Sequence, residues 1–578
     1  MVETWQCWTI DTARGAGAEA NAREASARIA ASEFPEAWIA VVPEQDLRTR
    51  ARAIEAQVAA GTDLPLAGVP FAVKDNIDVA GMPTTAGAPD FAYVPDRSAP
   101  VVEQLLAAGA MLVGKTNLDQ FATGLVGTRS PAYGACRNPY RPEYIAGGSS
   151  SGSAVVVATG QVPFALGTDT AGSGRVPAAN CGIVGLKPTA GLLSTAGVVP
   201  AMPSFDCVSV FASSIADAAD VFAATRRAPA HHAVRPPKRI GVPRALEWFG
   251  DDDARRLFED AIARVEALGC TVVDIDAAWM YDAGALLYGS ALTAERVGSF
   301  GAFVDAHPDG VHPAIREILR RAGTHSAADV VRAWSDLAAA RDLVAPLWAS
   351  VETLLVPTVA RVPTYDEAMD DWFAPSADLG RYTSFVNPLG MSAVATPWGV
   401  RDTRVPFGVS FVGPAGADDD LLELAGRFTA DDGGAPSLSA AIGPVDASAA
   451  ERFQIVVVGA HLTGQPLNHQ LTDLGGVLVA STTTASEYRL FALDTVPPKP
   501  GLQRMPGAGA AIEVEVWSLD AAGLGRFVAA IPAPLGVGKV TLADGSQVTG
   551  FLCEPHVTAT AREITEFGGW RAYVASLA

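Results

Sequence analysis

A run of glycines and serines, Gly147-Gly148-Ser149-Ser150-Ser151-Gly152-Ser153, passes without a break into Ala154-Val155-Val156-Val157-Ala158. Alone, such a run reads equally well as a flexible linker. Linkers seldom lead straight into a core element, and residues 153–160 have the small apolar pattern of a buried helix. The serine loop is thereby tied to a core. A second small-residue loop follows, Thr168-Asp169-Thr170-Ala171-Gly172-Ser173-Gly174-Arg175, with Ser173 24 residues after Ser149. Upstream, Val69-Pro70-Phe71-Ala72-Val73-Lys74-Asp75-Asn76 sets Lys74 in an apolar strand, 75 residues before Ser149.

These three pieces permit amide hydrolysis. That reaction needs a nucleophile, a base for its proton, an acid for the leaving nitrogen and donors for the oxyanion. Serine is a weak nucleophile without a partner, and none of the eight histidines precedes His231. Lysine serves as a base when neutral, and burial favours its neutral form. A lone lysine in a strand is more often a solvated side chain; the two serine loops in register favour the chemical reading. Lys74 would then draw the proton of Ser173 through Ser149. Glycines 147, 148 and 172 let the backbone approach a substrate. The N–H groups of Thr170, Ala171, Gly172 and Ser173 could converge on an oxyanion, where one preorganised donor is worth about 2.7–4 kcal/mol.

At 578 residues the chain exceeds one ordinary core, so two or more domains are expected. Hydrophobic content of 49% with 18% charged residues suits a folded protein. A net charge of −21 argues against nonspecific nucleic-acid or anionic-membrane binding, though one pocket can still be locally positive. The six cysteines (Cys7, Cys136, Cys181, Cys207, Cys270, Cys553) show no C-x-x-C spacing, which favours reduced thiols in the cytoplasm and offers no zinc signature. Neither a signal peptide nor a membrane span is read from the sequence.

Residues 21–60 read as helices, Leu66 to Asp78 as β-like, Val101 to Ala110 as a helix and Met111-Leu112-Val113 as a strand. Alternating strands and helices predict an α/β core. Residues 1–430 are read as one domain, 431–452 as a Gly/Ser/Pro-rich linker and 453–578 as a second domain, opening on the strand-like Phe453-Gln454-Ile455-Val456-Val457-Val458-Gly459. The last 126 residues hold 7 Lys/Arg against 10 Asp/Glu, a balance near −3, so most of the acidity lies before them.

The lysine strand and the two serine loops resemble the amidase signature family over roughly residues 25–430. Supporting pieces are Gly182-Ile183-Val184-Gly185-Leu186-Lys187-Pro188-Thr189, Leu354-Leu355-Val356-Pro357-Thr358 and Asn387-Pro388-Leu389-Gly390-Met391. The resemblance implies a mixed β-sheet covered by helices. It also implies Lys74 as general base, Ser149 as a bridging serine after a cis peptide, and Ser173 as the acyl-forming nucleophile. Asp169 and Arg175 would support the loop. No cofactor or metal is implied, and a homodimer through this domain is the family expectation.

Three further stretches resemble the allophanate hydrolase subfamily. They are the segment from Asn117-Leu118-Asp119-Gln120-Phe121 through Gly124 to Arg129-Ser130-Pro131, Tyr288 followed eight residues later by Arg296, and a C-terminal region containing Gly459-Ala460-His461-Leu462-Thr463-Gly464-Gln465-Pro466-Leu467-Asn468-His469-Gln470-Leu471 and Gly568-Gly569-Trp570-Arg571. Allophanate is a small anion with a carboxylate, and a guanidinium can clamp a carboxylate through two parallel hydrogen bonds. The resemblance makes Arg296 that clamp, Tyr288 its hydroxyl partner and Gly124 a backbone contact. A helix-surface ion pair with Glu295 or Glu259 is the competing reading of Arg296. The C-terminal region resembles an α+β domain with a γ-glutamyl-cyclotransferase-like fold, implicated in decarboxylating the first product, N-carboxycarbamate. It lacks the tyrosine-glycine-serine pattern of true cyclotransferases. His461 and His469 are the candidates there, with a buried structural histidine equally open; Asp544 or Glu563 is a candidate acidic partner. Urea carboxylase is the implied partner enzyme. The rival readings are a broad amidase and the glutamine-hydrolysing subunit of a tRNA amidotransferase.

Overall fold

The computed structural model describes residues 7–227, 234–430, 452–495 and 498–577. The chain divides into two units, residues 2–445 and 446–578. The linker expected over 431–452 lies, apart from Arg452, outside the described residues.

In the first unit a mixed sheet has strands β1 (Trp38–Val41), β2 (Pro70–Lys74), β3 (Met111–Thr116), β4 (Phe164–Asp169), β5 (Val184–Lys187), β6 (Cys207–Ala212), β7 (Arg239–Pro243), β8 (Thr271–Ile275), β9 (Thr353–Pro357), β10 (Ser392–Val400) and β11 (Pro406–Gly413). Their spatial order is β1-β3-β2-β4-β6-β5-β10-β11-β9-β7-β8. β2 lies parallel to both β3 and β4, in register Val73 with Lys115 and Val73 with Leu166. Both β2 and β4 are buried at every residue, as expected of central strands covered on both faces. Phe71 stacks on Phe164 between them at 5.4 Å. The β-like reading of 66–78 and the α/β class agree with this arrangement.

The helices read in residues 21–60 are Ala18–Ala30 and Glu44–Ala59; between them the structure adds β1, an edge strand antiparallel to β3 that the reading did not include. Pro35 and Pro43 bracket a short run of aromatic and branched residues, and proline ends helical hydrogen bonding.

The serine loop leads into the helix Ser151–Ala158, whose residues are buried nearly all round. Ser149 and Ser150 are fully buried, so the linker reading of this run is excluded. Because β2 and β4 are parallel neighbours, Lys74 and Asp169 end at the same edge of the sheet. Crevices at the carboxyl ends of parallel strands are natural ligand sites, and the serine loops gather there.

The second unit has its own core, including Ile455, Val457, Tyr488, Trp517, Phe551 and Trp570. Strands β12 (Arg452–Val457), β13 (Val477–Thr483), β16 (Glu513–Asp520), β17 (Leu535–Thr541) and β18 (Gln547–Cys553) form a sheet in the order β13-β16-β12-β18-β17. A smaller sheet holds β14 (Tyr488–Leu493), β15 (Lys499–Arg504) and β19 (Arg562–Glu563). Helices Ala521–Ala529 and Trp570–Ala575 complete an α+β arrangement.

Candidate active site

Lys74 Nζ lies 2.8 Å from Ser149 Oγ and 2.7 Å from Thr168 Oγ1. Strand pairing explains the second contact, since β2 and β4 end side by side. The lysine is fully buried. Burial pushes its pKa down to about 7, against the opposing fields of Asp119, Asp206 and Asp169. A base that is half neutral near neutral pH suits proton transfer. Thr168 escaped the sequence reading although it opens the second serine loop; the signal was its place on a strand neighbouring that of Lys74.

The Gly148–Ser149 peptide is cis. The Ser149 carbonyl accepts from Asp119 N at 3.0 Å, and Gly148 N donates to the Leu125 carbonyl at 2.8 Å. The Asp119 carboxylate in turn accepts from Gly127 N at 3.0 Å and from Arg129 N at 2.8 Å. Residues 119–129 and the serine loop are thus one hydrogen-bonded body, a role for Asp119 that its motif alone did not disclose.

Ser173 is 2% exposed, and its Oγ lies 3.5 Å from the Gly124 carbonyl. Ser149 and Ser173 share no hydrogen bond in this conformation. Gly172 has φ +136°, and a Cβ there would sit 2.3 Å from Thr383 Oγ1, so glycine is required. Its N–H donates to Asp169 Oδ1 at 2.9 Å. Gly172 is therefore not a free oxyanion donor, contrary to expectation: the turn folds its N–H back onto the carboxylate at its base. The N–H groups of Thr170, Ala171 and Ser173 have no protein partner among the described residues.

Asp169 and Arg175 brace this loop from within. Arg175 Nε and Nη2 donate to the two Asp169 oxygens, each at 2.9 Å, and both side chains are fully buried. Burial alone would raise the Asp169 carboxyl; the Arg175 charge, aided by Lys187 and the Gly174 N–H, more than offsets it and holds the pKa low. Arg175 also donates to the Thr383 carbonyl and to Asn387 Oδ1, each at 3.0 Å, which places the Asn387-Pro388-Leu389 stretch behind the loop. Asp206, missed in the sequence, accepts from Thr170 Oγ1 at 2.6 Å, and burial pushes its pKa up to about 6.

Arg296 is 1% exposed, and its Nε and Nη1 have no hydrogen-bond partner among the described residues. Its Cζ stands 5.3 Å from the centroid of the Tyr288 ring. The surface ion-pair reading is excluded. Glu295 accepts from Ser204 N at 3.0 Å, and Glu259 pairs with Arg255 at 3.4 Å. Tyr288, on the helix Ala278–Gly289, keeps 38% of its surface and feels the charges of Arg296 and Arg129. Burial raises its phenol pKa and the two guanidiniums oppose the rise. A buried guanidinium with idle donors is a ready acceptor of an anion.

In the second unit His461 lies stacked 5.4 Å from Phe551 and edge-on 5.2 Å from Phe527. Its Nε2 is 2.9 Å from Gln470 Oε1, and burial pushes its pKa down, with the Gln470 hydrogen bond opposing. His469 is exposed, with Nδ1 2.9 Å from the Pro466 carbonyl. Neither suggested acidic partner bonds to His461. Asp544 closes its own turn onto Ser546, and Glu563 pairs with Arg489 at 3.1 Å. The buried carboxylate by the turn is Glu515, which accepts from Thr463 N at 2.8 Å, Trp517 Nε1 at 3.0 Å and Arg571 Nη2 at 2.7 Å. Strand pairing of β12 with β16 brings Glu515 opposite Val457, a proximity no local spacing reveals.

Comparison with known proteins agrees with this geometry. The amidase family model matches residues 21–422, and the allophanate hydrolase C-terminal domain model matches residues 453–575. The urea amidolyase of Saccharomyces cerevisiae is 39% identical over 571 residues, covering 93% of this chain; the chain spans only 31% of that relative's length. A glutamyl-tRNA(Gln) amidotransferase subunit from Symbiobacterium thermophilum is 37% identical over 452 residues, covering 70% of this chain and 92% of that relative. The structure of Kluyveromyces lactis allophanate hydrolase covers the full length of both chains at 34% identity, with a TM-score of 0.70. No helix among the described residues is long and apolar enough to cross a membrane.

Proposed function

The chain belongs to the amidase family, and from that premise we propose that it hydrolyses allophanate. The observation that carries the substrate is Arg296, a buried guanidinium with two unpartnered nitrogens beside Tyr288. Simple neutral amides offer such a group nothing to neutralise. Allophanate offers a carboxylate, which Arg296 clamps while Tyr288 donates its hydroxyl. The likeness to a full-length allophanate hydrolase and the C-terminal match support the same reading.

In this mechanism Ser173 Oγ turns from the Gly124 carbonyl toward Ser149 and attacks the terminal amide carbon. Its proton passes through Ser149 to neutral Lys74. The N–H groups of Thr170, Ala171 and Ser173 receive the oxyanion. The lysine proton returns along the same path to the departing ammonia, leaving an acyl-enzyme on Ser173. Water then attacks the acyl carbon, giving N-carboxycarbamate. In the second unit, His461 assists loss of carbon dioxide from that product, leaving carbamate, which falls to ammonia and bicarbonate. The reading includes a homodimer through the amidase unit, a cytoplasmic setting and a urea carboxylase as the source of allophanate.

Ammonia release from allophanate at mildly alkaline pH, with Ser173→Ala in parallel, tests the proposal. Fast release by the protein and none by the variant is the expected result. Release from glutamine or a simple amide, with none from allophanate, would keep the triad and discard the substrate.

A further inference from the structure

The charges of two buried guanidiniums, Arg296 and Arg129, act on Tyr288, and the mechanism above uses only Arg296. The other, Arg129, is 2% exposed and lies near the end of the segment 117–131 that the sequence singled out. Neither arginine joins an ion pair among the described residues. The carboxylate closest in sequence, Asp119, spends its oxygens on backbone N–H groups, Arg129's own among them. Arg129 Nη1 donates to the Thr123 carbonyl at 3.1 Å, and Nη2 donates to the Trp372 carbonyl. Carbonyl dipoles satisfy its donors; burial disfavours its charge, the buried Asp119 carboxylate favours it and the Arg296 charge opposes it. Two guanidiniums against that one carboxylate leave the cluster net positive, a charge that an anionic ligand neutralises.

Arg129 also abuts the nucleophile's surroundings. Gly124 has φ +148°, and a Cβ there would meet Asp119 Oδ2 at 2.7 Å and Arg129 Nη1 at 2.9 Å. The carbonyl of this same glycine faces Ser173 Oγ at 3.5 Å. Hydrolysis at Ser173 turns the terminal amide of allophanate into a second carboxylate, so the product carries one more negative charge than the substrate, created beside Gly124.

We propose that Arg129 is a specificity-determining positioning residue. It holds Gly124 against Ser173 through the Thr123 and Trp372 carbonyls, and its charge, added to that of Arg296, favours carboxylate-bearing substrates over neutral amides of the same shape. This rests on the allophanate reading.

The test compares kcat/KM on allophanate with kcat/KM on biuret, its neutral carboxamide counterpart, in the intact chain. Arg129→Gln is expected to cut the preference for allophanate by about tenfold or more. Arg129→Lys, which keeps the charge but not the planar fork, is expected to lose rate on both substrates while keeping the preference within about threefold. A merely structural arginine would lower both substrates by one factor in Arg129→Gln, and that result overturns the inference. If Arg129→Gln does not fold, loss of the preference in folded Arg129→Lys overturns it equally. A native chain inactive on allophanate would instead remove the reading beneath it.

Discussion

Lys74 Nζ and Ser149 Oγ meet at 2.8 Å, both side chains sealed from solvent. Burial lowers the lysine's pKa to about 7, and the contact sets a hydroxyl against its nitrogen.

In the proposed mechanism deprotonated Lys74 is the working form, and burial pushes its pKa down to about 7. Activity is therefore lost as pH falls through 7, by about tenfold per unit well below it, and levels off above. A pH profile of kcat/KM on a stable amide substrate checks this. Lys74→Arg, which cannot deprotonate, is expected to be inactive across the range; residual activity with the same pH limb would remove Lys74 from the base role.

Ser173→Ala is expected to abolish turnover with an unchanged thermal midpoint, since only one hydroxyl in a 3.5 Å contact is lost. Ser149→Ala should lower kcat by about 10²–10⁴-fold by breaking the relay. Stopped-flow acylation assays on both variants measure it.

Asp169→Ala strands the buried Arg175 charge and frees the N–H groups of Gly172 and Gly174. Breaking such a pair costs about 3–5 kcal/mol of stability. Denaturant unfolding of the amidase unit measures the loss; a shift under about 1 kcal/mol would mean that the pair is not a brace.

Arg296→Ala should raise KM for allophanate by about tenfold or more, with kcat changed far less, because a clamp binds ground state and transition state alike. An unchanged KM would exclude the clamp.

His461→Phe fits the aromatic nest of Phe527 and Phe551 and leaves the amidase unit untouched. The first ammonia should appear at the normal rate, with carbon dioxide and the second ammonia lagging. Simultaneous release of all products would remove His461 from the second step.

Much of the candidate site was legible along the chain because its residues sit in short loops. A lysine at a strand's end and two glycine-flanked serines declare themselves by residue type and neighbours. The edge strand Trp38–Val41 was lost among helical neighbours because four residues carry too little periodicity to be seen. Glu515 was missed because its partners come from the turn at Thr463 and the helix at Arg571, far apart in sequence. The Gly172 N–H was misread as free because a backbone donor's partner depends on how a turn closes, which composition does not record.

The residues alone pointed to the class of reaction, through the resemblance of the lysine strand and the two small-residue serine loops to the amidase signature family. They also determined the division into an acidic larger part and a near-neutral smaller one. Only the tertiary structure decided that Lys74 reaches Ser149 and Thr168, that Arg296 is an unpaired buried charge rather than a surface ion pair, and that Arg129 stands behind Gly124. The reason is physical: pKa, charge compensation and hydrogen-bond satisfaction depend on burial and on partners brought together by sheet pairing, and these distances do not exist until the chain has folded.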